Sequence, residues 1–293
     1  MPVENIILLP DGRKLAYFDL GDPAGHPVIH AHGAPSGKLE TAFFDLHAIA
    51  QRVGIRLLAL DRPGVGGSDP VPGRTLLSWA DDVAAFAHSL KLGRFALFGY
   101  SIGAGSTLAC LHRLRDRLTA AAIVSGAGPA QVPGLADGRA KDVARVLHFA
   151  RHYPRITGQI LRFMKWGTKS PEKMIAASGR GMPAADRAIA DRPSAAAPFA
   201  AFIADAMRNG TDGVRDDMRL VASPWGFEPE QSDVPVMIWH GDADTNVPVA
   251  AATWLAARLP NASLTLVPGG GHISVLDSHA EAIFVQLRDR AAA

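Results

Sequence analysis

Short apolar runs broken by turns dominate the first part of the chain. Ile6–Leu9 and Lys14–Leu20 read as an opening hairpin around Pro10-Asp11-Gly12. Pro27–Ala31, Arg56–Leu60, Phe95–Phe98 and Ala120–Val124 are almost wholly apolar and run into glycine-bearing turns. Continuous apolar strands of this kind are buried on both faces, as in a parallel sheet. Leu76–Leu90 differs: its apolar residues fall at 76, 79, 80, 83, 87 and 90, the period of an amphipathic helix.

From about Gly126 to Gln231 strand-like runs vanish. Helix-like patches at 138–152, 155–165, 170–178, 184–191 and 196–209 are separated by Pro and Gly. So long a helical stretch between two strands is an insertion rather than a loop. The alternation then resumes with a strand at Val234–Trp239, a helix at Ala250–Leu259, a strand at Ser263–Val267 and a closing helix at Ser274–Arg290. The pattern predicts an α/β fold with a mostly parallel, eight-stranded sheet and helices on both faces. Residues 1–126 and 232–293 form its core and 127–231 a helical insertion.

Composition narrows the function classes. Of 293 residues, 48% are apolar and 20% charged, enough for a large core and unlike a disordered chain. The net charge is +2 without long Lys/Arg runs, which argues against a nucleic-acid partner. The densest basic stretch, His112–Arg117, suits a helix end. The lone Cys110 lies in an apolar helix, reads as a small buried hydrophobe and allows no intramolecular disulfide. No charged leader with a long apolar core precedes the first strand, and no run approaches 18 apolar residues. A cytoplasmic location without membrane contact is the resulting expectation.

Gly99-Tyr100-Ser101-Ile102-Gly103 lies between a strand and a helix. A serine in such a turn is exposed on a strained backbone, and the glycines let strand and helix approach. The pattern alone is common in glycine-rich chains. Serine is also a weak nucleophile that needs a histidine base, itself oriented by a carboxylate. The order Ser, acid, His accompanies this turn. His240-Gly241-Asp242-Ala243-Asp244 and Gly269-Gly270-Gly271-His272 each follow a strand, where open α/β sheets place their sites. His30 and His32 share a strand face, but no third metal ligand accompanies them, so no metal site is expected.

With His32-Gly33-Ala34-Pro35 and Asp61–Ser68 added, four landmarks in order make the whole chain resemble an α/β-hydrolase-fold serine hydrolase with a helical cap, of the esterase and proline iminopeptidase-like group. The resemblance implies Ser101 as nucleophile, His272 as base and Asp244, at the family's G-x-x-D position, as acid. Asp242 is the alternative acid. It further implies the Ala34 and Ile102 N–H groups as oxyanion donors, and no cofactor. His32 would be structural, and Asp61 and Arg62 loop-bracing. The expected activity is cleavage of an ester or similar acyl bond in a small, largely apolar substrate. Iminopeptidase-like amide cleavage, carbon–carbon bond hydrolysis and a non-catalytic ligand receptor are the alternatives. Phe149, Phe163, Met164, Trp166, Met174, Phe199, Phe202 and Met207 read mostly as the insertion's own core, with some left to line a pocket. Oligomeric state is unreadable.

Overall fold

A computed structural model describes residues 2–179, 181–229 and 232–292. Eight strands form one sheet: β1 (Asn5–Leu8), β2 (Lys14–Gly21), β3 (His26–Ala31), β4 (Ile55–Leu60), β5 (Phe95–Tyr100), β6 (Leu118–Val124), β7 (Val236–Gly241) and β8 (Ala262–Val267). Their order across the sheet is β1-β2-β4-β3-β5-β6-β7-β8. β2 runs antiparallel to β1 and β4, and the remaining neighbours are parallel. Ala31 pairs with Gly99, Tyr100 with Val124, and Val124 with Trp239. The carboxyl ends of the central strands therefore finish together, and the loops leaving them share one edge.

Two helical layers cover this sheet. On one face α3 (Leu76–Ser89), α4 (Gly103–Leu114) and α11 (Ala250–Arg258) bury Trp79, Phe86, Leu108 and Leu255 against Phe95, Leu97 and Ile238. On the other, α2 (Leu46–Val53) and α12 (Ser274–Ala292) bury Leu46, Val53, Ile283 and Phe284 against Phe98, Ala122 and Met237. α1 (Glu40–Phe43) precedes α2. Between β6 and β7 lie α5 (Lys141–His152), α6 (Pro154–Gly167), α7 (Pro171–Ser178), α8 (Ala184–Ala190), α9 (Ala196–Ala206) and α10 (Asp212–Val221). Among the described residues, no helix is long and apolar enough to cross a membrane.

Several details depart from the sequence reading. β7 starts and ends two residues late, taking His240 and Gly241 into the sheet against Leu266 and Val267. Pro235, at the predicted start, has no N–H for the ladder. Helices α1, α2 and α10 were not anticipated. α10 hides its apolar Val214, Met218 and Val221 among five charges. The insertion's core contains Phe202 and Met207, with Met164, Met174 and Phe199 packed against it. Phe163 and Trp166 are not part of it: they stand on the outer face of α6, 73% and 63% exposed.

Buried charge fastens the insertion to the sheet. Asp217 on α10 pairs with Arg62 at 2.9 Å and Arg74 at 2.6 Å, all three buried. Burial alone would raise the Asp217 carboxyl, but the two guanidiniums overcome it and hold the group far below the usual carboxylate range. Lys38, also buried, meets Asp61 at 2.6 Å, Glu4 at 2.8 Å and Asp205 of α9 at 3.6 Å. Burial opposes the ammonium charge, and the three carboxylates outweigh it, raising the Lys38 pKa. Asp61 braces its own loop as well, accepting the Gly67 N–H at 2.9 Å, and Arg62 joins that loop to the insertion.

Candidate active site

Ser101 sits where β5 turns into α4, with φ +56°, a left-handed conformation rare for a residue with a Cβ. Its N–H donates to Val124 O at 3.0 Å, and its carbonyl accepts from Ala104 and Ala127. The flanking glycines are spatial necessities. A Cβ at Gly99 would strike the Thr107 hydroxyl, and one at Gly103 would strike the Ala31 carbonyl. These clashes would push strand and helix apart and unseat the serine.

Three loops from non-adjacent stretches of chain converge here. His272 Nε2 lies 2.9 Å from Ser101 Oγ, and His272 Nδ1 lies 2.8 Å from Asp244 Oδ2. An ionised carboxylate only accepts, so Nδ1 carries the ring proton and bare Nε2 accepts from the serine hydroxyl. Asp244 Oδ1 accepts the N–H groups of Asn246 and Val247 at 2.8 and 2.9 Å. Burial works against a charged His272 ring, but Asp244 above all, with Asp186 and Glu40, outweighs it and raises the pKa. Burial also works against the Asp244 carboxylate; His272 and His240 outweigh it and lower its pKa. His240 stands 3.5 Å behind Asp244, its Nε2 donating to Val247 O. Asp242 is exposed, accepts from Gly269 N at 2.7 Å and does not join this group.

The Gly33-Ala34 turn packs beside Ser101: a Cβ on Gly33 would stand 3.4 Å from Ser101 Cβ. Two buried groups fix that turn. Glu40 accepts the Gly33 N–H at 3.0 Å and meets His30 Nε2 at 2.9 Å. Arg62 donates to His32 O at 2.6 Å and Gly33 O at 2.9 Å. His32 accepts the Arg62 N–H through Nε2, so Nδ1 carries the proton and donates to Gly33 O at 2.7 Å. Burial, then the Arg62 charge, pushes the His32 pKa well down. Both histidines are committed to hydrogen bonds within the protein.

Sequence reasoning missed two acids. Glu40 carries no local motif. Asp186 lies on α8 in the insertion, yet its carboxylate accepts the N–H groups of His272, Ile273 and Ser274 at 2.7, 3.1 and 2.8 Å. It also explains Gly271, where a Cβ would land on the Asp186 carboxyl. Ala34 packs against the insertion's core with Leu39 and Phe43, and Ile102 packs with Leu147, Val221 and Val247. Ser101 and His272 retain 6% and 8% exposure.

With this geometry in place, the chain can be set beside known proteins. The sequence profile of the Alpha/beta hydrolase family matches residues 28–287. A non-heme chloroperoxidase of Streptomyces lividans is 30% identical over 93% of this chain and 94% of its own length. A pimeloyl-[acyl-carrier protein] methyl ester esterase of Aromatoleum aromaticum is 27% identical over 80% of this chain and 87% of its own. In structure, an esterase from Exiguobacterium antarcticum superposes with a TM-score of 0.73 at 20% identity, covering 99% of this chain and 100% of that one.

Proposed function

Because the chain belongs to the Alpha/beta hydrolase family, we propose that it is a serine hydrolase cleaving a carboxylic ester, or similar acyl bond, of a small and largely apolar substrate. The observation that carries this reading is the unbroken hydrogen-bonded series from Ser101 Oγ through His272 to Asp244. In this reading His272 Nε2 takes the hydroxyl proton as Ser101 Oγ attacks the carbonyl carbon, and Asp244 stabilises the imidazolium. Collapse of the tetrahedral species expels the alcohol, protonated by His272, and leaves an acyl-enzyme. Water, activated by the same ring, then releases the acid. The N–H groups of Ala34 and Ile102 hold the oxyanion, each contributing roughly 2.7–4 kcal/mol of barrier lowering. Residues 127–231 act as a cap whose apolar lining selects the acyl group and excludes water.

The insertion's carboxylates favour an ester over an aminopeptidase substrate. Recognition of a substrate ammonium calls for a buried, uncommitted carboxylate. Among the described residues of the insertion, the buried acids are Asp186, spent on three amides, and Asp217, spent on two arginines. The chloroperoxidase-named relative supports a second use of the same intermediate. Hydrogen peroxide attacking the acyl-enzyme in place of water would release a peracid, an oxidant for halide.

Fluorophosphonate labelling, followed by turnover of aryl esters of graded acyl length beside aminoacyl-arylamides, tests the proposal. Labelling abolished by Ser101→Ala, with esters turned over faster than amides, is the expected result. Labelling or ester turnover that persists in Ser101→Ala refutes the assignment. Adding peroxide and halide to the ester assay and measuring halogenation tests the second use.

A further inference from the structure

Among the described residues, Asp186 is the one acid of the insertion that reaches the loop bearing His272. Its two oxygens take three consecutive N–H groups, from His272 to Ser274, where α12 begins. Those are the free donors of a helix start, and a carboxylate there opposes the positive end of the helix dipole. Both partners are buried, so water does not replace the bonds when they are lost. The side of the loop toward α8 has been cleared for this contact, since only glycine fits at 271. On its other side the His272 carbonyl accepts from Tyr100 OH at 3.3 Å and Ser125 Oγ at 3.0 Å. The loop is therefore gripped by the core from one side and by the insertion from the other.

We propose that Asp186 is a positioning residue for His272, through which the seating of the insertion sets the orientation of the base. The inference rests on the serine hydrolase reading for its kinetic consequence, though not for its physical one. With α8 displaced, the N–H groups of residues 272–274 lose their acceptor and the ring loses its fixed approach to Ser101. A misplacement of about 1 Å is enough to cost on the order of 100-fold in rate. The charged and titratable groups facing His272 are Asp244 from the loop after β7, Asp186 from α8, Glu40 from α1, Tyr100 from β5 and His240 from β7. Among the described residues, Asp186 is the only one contributed by the insertion.

The test compares wild type with D186N and G271A. D186N keeps the shape and removes the charge. G271A keeps the charge and pushes the carboxyl off the loop. Ring-nitrogen NMR follows His272 against pH, its signals assigned by their loss in His272→Gln. Hydrolysis of p-nitrophenyl acetate gives kcat and KM. In D186N the His272 midpoint is expected to fall by about half a pH unit, because the dipole of α12 is left uncompensated. Its kcat is expected to fall about tenfold or more, with KM within about twofold. G271A is expected to lose kcat with a smaller midpoint shift. A folded D186N with wild-type midpoint and wild-type kcat overturns the proposal, whatever it does to thermal stability. Should D186N fail to fold, G271A decides in the same way by its kcat. A wild-type protein that hydrolyses no ester and takes no fluorophosphonate defeats the hydrolase reading instead, and the ring titration still judges Asp186.

Discussion

Asp244→Asn changes one atom pair and should remove most of the activity. The Oδ1 atom of Asp244 accepts from two backbone donors, Asn246 N and Val247 N. An asparagine must keep its carbonyl oxygen there, because an amide NH2 would face two N–H groups. Its NH2 then points at His272 Nδ1, which has to accept. The ring proton moves to Nε2, the atom facing Ser101 Oγ at 2.9 Å, and the base is lost while packing survives. A tautomer switch of this kind costs about 10⁴-fold in kcat. That corresponds to about 5.4 kcal/mol at 1.36 kcal/mol per decade. The assay is kcat/KM on an aryl ester at pH 8, with the melting temperature as a check on folding. Asp242→Asn is the control: Asp242 is exposed and holds one N–H, so activity should stay within about twofold. A D244N enzyme within tenfold of wild type would refute the argument. An inactive D242N beside an active D244N would transfer the acid role to Asp242.

The pH profile follows from the raised pKa of His272: kcat/KM should fall as pH drops through a midpoint above the ordinary 6.5, since only the neutral ring accepts a proton. A profile flat from pH 8 to 5 in folded protein contradicts this. Asp217→Asn leaves Arg62 and Arg74 buried without their anion and should cost about 3–5 kcal/mol in urea unfolding; a loss under about 1 kcal/mol would refute it. With its folded pKa depressed, Asp217 lends stability that is present above the unfolded carboxylate range and lost only as pH falls toward the folded value. Burial raises the Cys110 thiol, so a disulfide reagent should modify it only after denaturant is added; fast reaction in buffer would show the helix open. Gly103→Ala should destabilise by at least about 2 kcal/mol and depress fluorophosphonate labelling, because its Cβ meets the Ala31 carbonyl; a variant with wild-type stability and labelling overturns that.

What was legible in the chain were features with a local cause. Uninterrupted apolar runs mark strands buried on both faces, and the serine turn shows because its glycines answer clashes with Thr107 and Ala31. Ser101 and His272 could be picked out because each follows a strand, Asp244 because it stands at the G-x-x-D position of the resemblance, and the sheet register brings those ends together. α2 could have been read too: Leu46, Ile49, Ala50 and Val53 have helical spacing. Asp186 could not, since its partners lie 86 to 88 residues away and are backbone atoms that any sequence supplies. Glu40 is hidden for the same reason, its main partner being the Gly33 amide. Phe163 and Trp166 failed in the opposite direction. Aromatic residues in a helix suggest a core, and nothing local says which side of α6 meets its neighbours.

The contacts of Lys38, Arg62 and the His272 loop with the inserted helices have an engineering consequence. Asp205, Asp217 and Asp186 moor the insertion by charge, while Val65, Ala34 and Phe43 meet it through hydrocarbon. Leu147, only half-buried, can therefore be exchanged for a larger or smaller residue without loosening those charged contacts. Substitutions at position 147 should vary substrate choice while most variants still fold, whereas loss of Asp217 should mostly yield unstable proteins.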